Sequence, residues 1–424
     1  MKNNCFIIKG GNKLFGEIKN QTSKNATLPI MSATLLSKGK SVIKEYPKIS
    51  DVENMVSILK KLGAKIRKTE NNLEIETSAV QSTFVDCKLS KKMRSSIFLL
   101  GSLLSRFKTA CVTFPGGCDI GKRPIDIHIN SFKNRGVKVQ FVENNILFDA
   151  KKAKAGRVKL KLPSVGATEN LIQFCCLLKG KTTILNAARE PEVVDLCNFL
   201  NKMGAKIIGA GTSKITIYGV DKLNSVEYRP MGDRIVSGTI ACAVAACGGD
   251  ITITNACPYQ NLKLIEKLRS MGCQIDIKND IMHIVQKSKL ISPNNITTGY
   301  YPEYATDLQS ILLTVCTIAT GLTTIKENVF ENRFLVVDEL KKLGANITQI
   351  NNQIINVNCV ETLKGNQLLA KDLRGGAALV IAGLVAKGKT VIKNIKFIDR
   401  GYEHLEVMLS KLGADIIRKW VKVR

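Results

Sequence analysis

Apolar and polar positions follow the same order six times along the chain, and this order predicts the secondary structure. In each copy, apolar residues at helical spacing end at a glycine, and a short run then leads into a β-branched residue or isoleucine. The six glycines are Gly63, Gly136, Gly204, Gly272, Gly344 and Gly413. Their separations of 68 to 73 residues exceed those of the usual solenoid repeats. Each copy is therefore predicted to be a small block of several helices and strands.

A short strand is predicted ahead of each repeat glycine. These strands begin at or just after Gly39, Lys108, Gly180, Gly249, Gly321 and Gly388. The strand start and the repeat glycine are 23 to 25 residues apart in five copies, but 29 apart in the second copy, counted from Phe107. The extra residues fall in a glycine-rich, charged loop at 114–124 that the block does not need for folding. We therefore expect this loop to be functional.

Each block also holds a second predicted helix that is apolar on nearly every side. The predicted helices cover residues 25–36, 93–104, 168–178, 234–247, 306–320 and 373–385. A helix of this kind must lie inside the protein, with strands and amphipathic helices around it. The sequence thus predicts an α/β protein made of six β-α-β-α-β-β blocks. Three blocks in each of two domains would form two inside-out barrels, with helices in the middle.

Composition limits the classes of function. The chain has 424 residues, of which 45% are hydrophobic, enough for two or three domains. It has no apolar run long enough for a membrane span, so a cytoplasmic location is expected. Its 13 cysteines are scattered and its three histidines are far apart, so no metal site is expected. The net charge of +28 would suit nucleic acid, but the lysines are spread over all six blocks and aromatic residues make up only 5%.

Charged residues are predicted at the starts of the apolar helices. They are Lys24, Arg94, Glu169, Asp233, Arg234, Asp307 and Arg374. A cation at a helix N-terminus costs up to about 1 kcal/mol unless an anion lies there, because the helix dipole is already positive at that end. If the starts of both sets of helices face each other, they would form a positively charged cleft between the domains. We therefore expect a site for an anionic small molecule in that cleft.

Seven motifs along nearly the whole chain carry a closer resemblance. They lie at 23–30, 114–124, 164–170, 186–192, 306–309, 331–334 and 398–403. In this order they resemble the UDP-N-acetylglucosamine 1-carboxyvinyltransferase family. The resemblance implies the enolpyruvyl transferase fold, with one domain at 1–22 plus 232–424, which carries Arg333, an inserted domain at 23–231, and the active site between them. It also implies transfer of the enolpyruvyl group of phosphoenolpyruvate to the 3-hydroxyl of UDP-N-acetylglucosamine, with release of phosphate, and no metal or organic cofactor.

The same resemblance implies roles for individual residues. Phosphoenolpyruvate is expected to be bound by Lys24, Asn25, Arg94, Arg123, Arg374 and Arg400. Guanidinium groups suit this ligand because they bind phosphate and carboxylate with two parallel hydrogen bonds. The nucleotide sugar is expected to contact Asn25, Arg94, Arg123, Pro124, Ile125, Asp126, Ile127, Ser164, Val165, Gly166, Asp307 and Val329. The turn at 164–166 has two interpretations, since its amides suit a diphosphate but its glycine also suits an ordinary tight turn.

Two residues are expected to move protons. Cys118 matches the loop cysteine that acts as general acid and can add covalently to phosphoenolpyruvate, and Lys122 and Arg123 would favour its thiolate. Its loop is expected to close over the bound nucleotide sugar. Asp307 matches the general base near the 3-hydroxyl. Asp307 also has a purely structural interpretation, as the cap of the apolar helix that begins around it.

The chain departs from the family pattern at several positions. Thr22 and Ser23 replace Gly-Ala, Leu103 replaces a proline, Val236 replaces a glutamate, and Pro-Glu-Tyr-Ala at 302–305 replaces Pro-Gly-Phe-Pro. The last change alters the backbone freedom beside Asp307 and is expected to lower the rate. Three alternatives follow: a binding-only homologue that has lost turnover, a 5-enolpyruvylshikimate-3-phosphate synthase, and a nucleic-acid binder that uses the excess charge. The oligomeric state does not follow from the sequence.

Overall fold

The computed structural model describes residues 2–85, 97–113 and 125–422, which form two compact units. The first unit contains residues 2–21 and 232–422, and the second contains the described residues between 22 and 231. Each unit has its own hydrophobic core. No helix in the described ranges is both long and apolar enough to cross a bilayer.

The described residues contain twelve α-helices. In chain order, α1 to α12 are Lys24–Ala33, Ser50–Leu62, Leu99–Phe107, Asp126–Lys133, Val165–Cys175, Pro191–Lys202, Arg234–Cys247, Leu262–Ser270, Gln309–Cys316, Val337–Lys342, Leu373–Val385 and Leu405–Lys411. Short 3-10 segments lie at Thr34–Leu36, Pro258–Gln260, Thr306–Leu308 and Ile395–Arg400.

The strands of the described residues form six sheets. In chain order, β1 to β23 are Lys2–Lys9, Leu14–Lys19, Lys40–Lys44, Lys65–Lys68, Asn72–Glu76, Thr109–Thr113, Lys138–Val142, Asn145–Asp149, Arg157–Lys159, Lys181–Leu185, Lys206–Ile208, Lys214–Tyr218, Glu227–Tyr228, Gly249–Thr254, Gln274–Lys278, Ile281–Gln286, Asn295–Thr297, Leu322–Lys326, Asn346–Asn351, Ile354–Asn358, Gln367–Leu369, Lys389–Lys393 and Asp415–Lys422.

The third block shows the predicted order without interruption. It runs β9, α5, β10, α6, β11, β12, and its sheet has the strand order β11-β12-β10-β9. Strand β10 is parallel to β9 and antiparallel to β12. The fifth block has the matching sheet order β17-β18-β20-β19. The predicted β-α-β-α-β-β block is confirmed.

The start of the chain completes two sheets of the first unit. Strand β1 lies between β22 and β23, with Ile8 opposite both Thr390 and Ile416. Strand β2 pairs in parallel with β14. In the second unit, the short strand β13 similarly joins β3 from far along the chain. Each unit therefore depends on pairing between segments that are 185 or more residues apart in the chain.

The repeat glycines and the strands ahead of them agree with the prediction. All six glycines have positive φ, between 83° for Gly136 and 107° for Gly63. This region is open to glycine because it has no Cβ. The six predicted strands are β3, β6, β10, β14, β18 and β22. The sequence therefore predicted the positive-φ glycine and the strand ahead of it correctly in every block.

The apolar helices lie in the cores, but some bounds differ from the prediction. Helices α7 and α11 have the predicted bounds, whereas the fifth apolar helix consists of the 3-10 turn Thr306–Leu308 followed by α9. Helix α5 begins at Val165, three residues earlier than predicted. Glu169 is thus not at a helix start, which corrects its proposed place in the charged set. It is fully buried, and burial together with Glu192 and Glu190 raises its pKa well above the usual value.

Asp195 on helix α6 is hydrogen-bonded to residues near the end of the second unit, at 228–231. Its carboxylate accepts hydrogen bonds from the Tyr228 hydroxyl at 2.6 Å and from the Met231 amide at 3.1 Å. Burial raises the pKa of Asp195 to about 6, although both hydrogen bonds oppose this rise. Between about pH 4 and pH 6, the folded chain therefore keeps a proton on Asp195 that the unfolded chain has already lost.

We predict that this carboxyl lowers stability as the pH rises through that window. The folded state binds the proton more tightly, so the free energy of unfolding should fall by up to about 3 kcal/mol from pH 4 to pH 6. Urea unfolding of the wild type and of Asp195→Asn, followed by circular dichroism, measures this contribution as the pH-dependent part of their difference. Two stability curves that stay parallel from pH 4 to pH 7 would contradict it.

Candidate active site

Lys24 is the first residue of helix α1 and is almost completely buried. Its Nζ lies 2.8 Å from the Asp51 carboxylate on α2, and Asp51 is also buried. The Ser23 hydroxyl caps this helix by accepting a hydrogen bond from the Ala26 amide at 3.3 Å. Asn25, the next residue after Lys24, is half-buried. The first turn of α1 is therefore held by the Ser23 cap and by the ion pair of Lys24 with Asp51.

The turn at 164–166 forms the start of helix α5. The Ser164 hydroxyl caps the helix by accepting from the Ala167 amide at 3.4 Å, and Val165 and Gly166 form its first turn. All three residues are half-buried. The structure therefore has a capped helix N-terminus at 164–166 in place of an ordinary tight turn, and the first amides of a helix have no carbonyl partner within that helix.

Helix α4 begins at the next group of predicted contacts. Ile125 precedes the helix and is buried, Asp126 is exposed and Ile127 is half-buried. His128 follows and is buried, with its Nδ1 3.0 Å from Asn170 on α5. The start of α4 is therefore tied to α5 beside the turn that begins α5.

Asp307 is the centre of a carboxylate–arginine cluster in the first unit. Arg374 donates to its Oδ2 through Nε at 3.1 Å and Nη2 at 2.9 Å, and Arg333 Nη2 donates to its Oδ1. Both arginines are nearly fully buried, while the Asp307 side chain is 29% exposed. Asp307 lies within the turn Thr306–Leu308, and its carboxylate binds these two arginines.

Arg374 is held from several directions. Asp372 caps helix α11 by accepting from the Arg374 amide at 3.0 Å. The Arg374 guanidinium lies 5.4 Å from the centre of the Tyr402 ring, and the Tyr402 hydroxyl is 2.9 Å from Thr239. Burial alone would lower the pKa of Arg374, but Asp307, then Tyr402 and Asp233, raise it above its usual value. Arg374 is consequently a fixed, permanently charged donor.

Glu327 is a residue of this region that the sequence reasoning missed. It is fully buried and accepts hydrogen bonds from the Thr306 hydroxyl at 2.9 Å and from the Val329 amide at 2.8 Å. It therefore joins the residue before Asp307 to the predicted nucleotide-sugar contact Val329. A glutamate directly after strand β18 was the available signal, but its partner Thr306 is 21 residues away, so the local pattern did not identify this pairing.

Arg400 is the last residue of the 3-10 segment Ile395–Arg400 and is half-buried. Its neighbour Asp399 receives two parallel hydrogen bonds from Arg418, at 2.9 and 2.6 Å. Arg418 also donates to Glu406 at 2.7 Å. The hydrogen bonds from Arg418 to Asp399 therefore attach the segment that carries Arg400 to strand β23.

The departures from the family pattern have local structural roles. Ser23 supplies the cap of α1, and Val236 and Leu103 are fully buried in α7 and α3. In the altered segment at 302–305, Tyr304 is buried and its hydroxyl donates to the Leu308 carbonyl at 3.1 Å. The substituted tyrosine therefore supports the turn that carries Asp307.

Four predicted residues, Arg94, Cys118, Arg123 and Pro124, lie outside the described residues. Within the described ranges, no cluster of three or more histidine, cysteine or acidic residues has the arrangement of a metal site. The site residues that are described fall into two groups. Lys24, Asn25, 125–127 and 164–166 belong to the second unit, and Asp307, Val329, Arg333, Arg374 and Arg400 belong to the first.

Comparison with known proteins extends over almost the whole chain. Residues 8–409 match the model of the EPSP synthase (3-phosphoshikimate 1-carboxyvinyltransferase) family. UDP-N-acetylglucosamine 1-carboxyvinyltransferase 2 of Caldanaerobacter subterraneus subsp. tengcongensis is 43% identical over 97% of this chain and 99% of its own length. UDP-N-acetylglucosamine 1-carboxyvinyltransferase 1 of Staphylococcus aureus is 42% identical over 97% of this chain and 98% of its own length.

Solved structures agree on the fold. The enolpyruvyl transferase NikO from Streptomyces tendae has a TM-score of 0.89 at 23% identity and covers both chains completely. EPSP synthase from Acinetobacter baumannii has a TM-score of 0.75 at 16% identity over 98% of this chain and 100% of its own. The predicted enolpyruvyl transferase fold is therefore confirmed.

We predict that Asp307→Asn destabilises the first unit, because the buried Arg333 and Arg374 would both lose the carboxylate charge to which they are bonded. The free energy of unfolding should fall by about 2–4 kcal/mol, somewhat less than for a fully buried pair since Asp307 is partly exposed. Asp338→Asn is the matched control, because the Asp338 side chain is 75% exposed and its ion pair with Lys371 should contribute below about 0.5 kcal/mol. Urea unfolding followed by circular dichroism measures both, and equal effects would contradict the prediction.

Proposed function

This chain belongs to the UDP-N-acetylglucosamine 1-carboxyvinyltransferase family, and we propose that it transfers the enolpyruvyl group of phosphoenolpyruvate to the 3-hydroxyl of UDP-N-acetylglucosamine, releasing phosphate. This reaction would be the first committed step of peptidoglycan synthesis. The main support is 43% identity to a relative of that name over 97% of the chain. The cluster around Asp307 supports the same function, because it places a carboxylate between two fixed cations.

The reaction requires removal of a proton from the sugar 3-hydroxyl, addition of a proton to C3 of phosphoenolpyruvate, and later loss of a proton from that carbon. We assign these transfers to two residues. The sugar 3-hydroxyl loses its proton to Asp307 as its oxygen bonds to C2 of phosphoenolpyruvate, while Cys118 protonates the C3 methylene. The resulting tetrahedral adduct then loses a proton from the new methyl group to the Cys118 thiolate that the first step left, as the C2–O bond to phosphate breaks and phosphate leaves. Arg333 and Arg374 hold the Asp307 carboxylate in place.

Phosphoenolpyruvate carries phosphate and carboxylate charges that require cationic partners. We assign Lys24, Asn25, Arg94, Arg123, Arg374 and Arg400 to this ligand. Lys24 and Arg374 are already paired with carboxylates and nearly buried, so they would meet the ligand without losing side-chain freedom. This preorganisation favours stabilisation of the polyanionic adduct.

We assign the nucleotide sugar to a set of contacts that includes the starts of two helices. The set is Asn25, Arg94, Arg123, Pro124, Ile125, Asp126, Ile127, Ser164, Val165, Gly166, Asp307 and Val329. The capped first turn of α5 presents backbone amides that suit the diphosphate. These residues come from both units, and their joint action on one substrate pair stays a prediction.

The alternatives differ in support. A shikimate 3-phosphate substrate is less well supported, because the solved EPSP synthase is only 16% identical. A binding-only homologue would bind UDP-N-acetylglucosamine without turnover. Nucleic-acid binding through the +28 charge would require affinity that survives physiological salt. The cytoplasmic location and the absence of a cofactor also stay predictions.

We predict phosphate release from phosphoenolpyruvate only when UDP-N-acetylglucosamine is present. Cys118→Ala and Asp307→Ala should each reduce the release rate by about 10²–10⁴-fold, since each removes a proton-transfer group. Cys359→Ala and Asp338→Ala are the matched controls and should keep the wild-type rate.

A colorimetric phosphate assay measures these rates. Binding of UDP-N-acetylglucosamine without phosphate release would favour the binding-only homologue. Phosphate release with shikimate 3-phosphate in place of the nucleotide sugar would show that the proposed acceptor, UDP-N-acetylglucosamine, is wrong.

A further inference from the structure

We propose that the outer side of the third block's sheet binds peripherally to the surface of an anionic phospholipid bilayer. This sheet has the strand order β11-β12-β10-β9 and belongs to the second unit. Successive residues of its strands alternate between the core and the outer side, and Val158, Ile184 and Ile215 are among those in the core. We call the outer side the basic face. It consists of Arg157, Lys159, Lys181, Thr183, Leu185, Lys206, Ile208, Lys214, Thr216 and Tyr218.

The basic face carries five cations and no acidic residue. The strand register determines their neighbours on the sheet. Tyr218 lies opposite Lys181 on one side and Lys206 on the other, and Leu185 lies opposite Lys214. The face is roughly 14 Å wide, because neighbouring strands lie about 4.8 Å apart. Its positive charge is therefore spread over a surface in which the cations alternate with neutral side chains.

The matching sheet of the first block shows that the repeated block does not need such a face. In that sheet, Lys65 lies opposite Glu76 and Arg67 lies opposite Glu74. Lys40 Nζ also lies 3.7 Å from the Glu74 carboxylate. Each of these cations has an acid beside it on the same side of the sheet, which offsets the repulsion between like charges. The uncompensated charge of the basic face is therefore a property of this surface and not of the block.

Protection of the sheet edges explains only part of this charge. Cations on an exposed edge strand discourage pairing with another chain. Arg157 and Lys206 lie on the edge strands β9 and β11 and suit that role. Lys181 and Lys214 lie on β10 and β12, which are paired on both sides, so they protect no edge. These two interior cations point to a negatively charged partner above the sheet.

The sequence around β9 extends the positive charge beyond the sheet. Residues 150–168 contain six lysines or arginines and no aspartate or glutamate. Lys151, Lys152 and Lys154, just before β9, are exposed. An extended anionic surface would attract these residues together with the basic face, since clusters of lysine and arginine bind anionic lipids.

One aromatic and one aliphatic side chain on the basic face favour a bilayer over nucleic acid. Tyr218 is 41% exposed and Ile208 is 60% exposed. Tyrosine is enriched where lipid headgroups meet water, because its ring is apolar and its hydroxyl is polar. Single-stranded nucleic acid is bound by several aromatic rings on which successive bases stack. The basic face offers Tyr218 alone, and Lys181 Nζ already lies 5.6 Å from the centre of its ring.

Co-sedimentation with lipid vesicles tests the proposal. The wild type should bind vesicles made of phosphatidylglycerol and phosphatidylcholine in equal parts, but not vesicles of phosphatidylcholine alone. Binding should weaken as salt is raised, because the attraction is electrostatic. Replacing Lys159, Lys181 and Lys206 together by glutamine should weaken binding by about 10²-fold, since each cation near an anionic surface contributes a factor of roughly five.

The matched control replaces Lys40, Lys65 and Arg67 by glutamine. It removes the same amount of charge from the first block's sheet and should bind vesicles like the wild type. Both triple variants should keep the wild-type circular dichroism spectrum, because all the replaced side chains lie on the outer sides of their sheets. Equal losses of binding in the two variants would overturn the proposal, since net charge rather than the basic face would then be responsible.

A tryptophan reporter tests whether the basic face itself meets the bilayer. The chain has one tryptophan, Trp420, which lies in the first unit. Trp420→Phe combined with Tyr218→Trp therefore leaves a single indole on the basic face. Its fluorescence emission should shift to shorter wavelength when the anionic vesicles are added, because the ring moves from water into the headgroup region. An unchanged emission maximum with bound vesicles would overturn the proposal.

Binding of a thymidine oligonucleotide separates a bilayer from nucleic acid. The wild type should bind this probe only weakly at physiological salt, with a Kd of about 10⁻⁴ M or higher, as expected of nonspecific attraction. Tighter binding that is lost in the basic-face variant, without vesicle binding, would overturn the bilayer and identify the face as a nucleic-acid surface. None of these measurements depends on enolpyruvyl transfer, so their failure would leave the proposed function intact.

Discussion

The need to bury helices that are apolar on nearly all sides governs this structure. Helices α7 and α11 have almost no exposed residues, so sheets and amphipathic helices must enclose them. Their ends are then also inside the protein, where unpaired amides are costly. Serine or aspartate residues solve this problem by capping α1, α5, α7 and α11.

The caps also explain where the predicted binding groups lie. Lys24 follows the cap Ser23 directly, and Arg374 lies two residues after the cap Asp372. The backbone of a capped first turn has little conformational freedom, so the Cα and Cβ of a long cationic side chain in that turn are held in place. The carboxylates of Asp51 and Asp307 then fix the charged ends. The protein keeps these cations buried by pairing each with an acid, at a cost that only close geometry offsets.

The polar groups between helices add a second level of order. Glu327 joins Thr306 to the Val329 turn, and Asn170 joins the starts of three helices. Buried polar groups of this kind specify one arrangement, because any other leaves them without partners. The binding residues therefore depend on a buried network that does not itself have to touch a ligand.

The sequence by itself determined the repeated block, because helix periodicity, positive-φ glycines and β-rich runs act over a few neighbouring residues. It also supplied the motifs on which the predicted site residues rest. Tertiary structure decided what these signals cannot reach: the pairing of β1 with β22 and β23, the start of α5 at Val165, and the partners of Asp307 and His128. Most of those features join residues that are distant in the chain. The start of α5 is instead one of several positions that the local sequence would allow. Only the packing of the complete unit selects among them, since each contact requires that many others form with it.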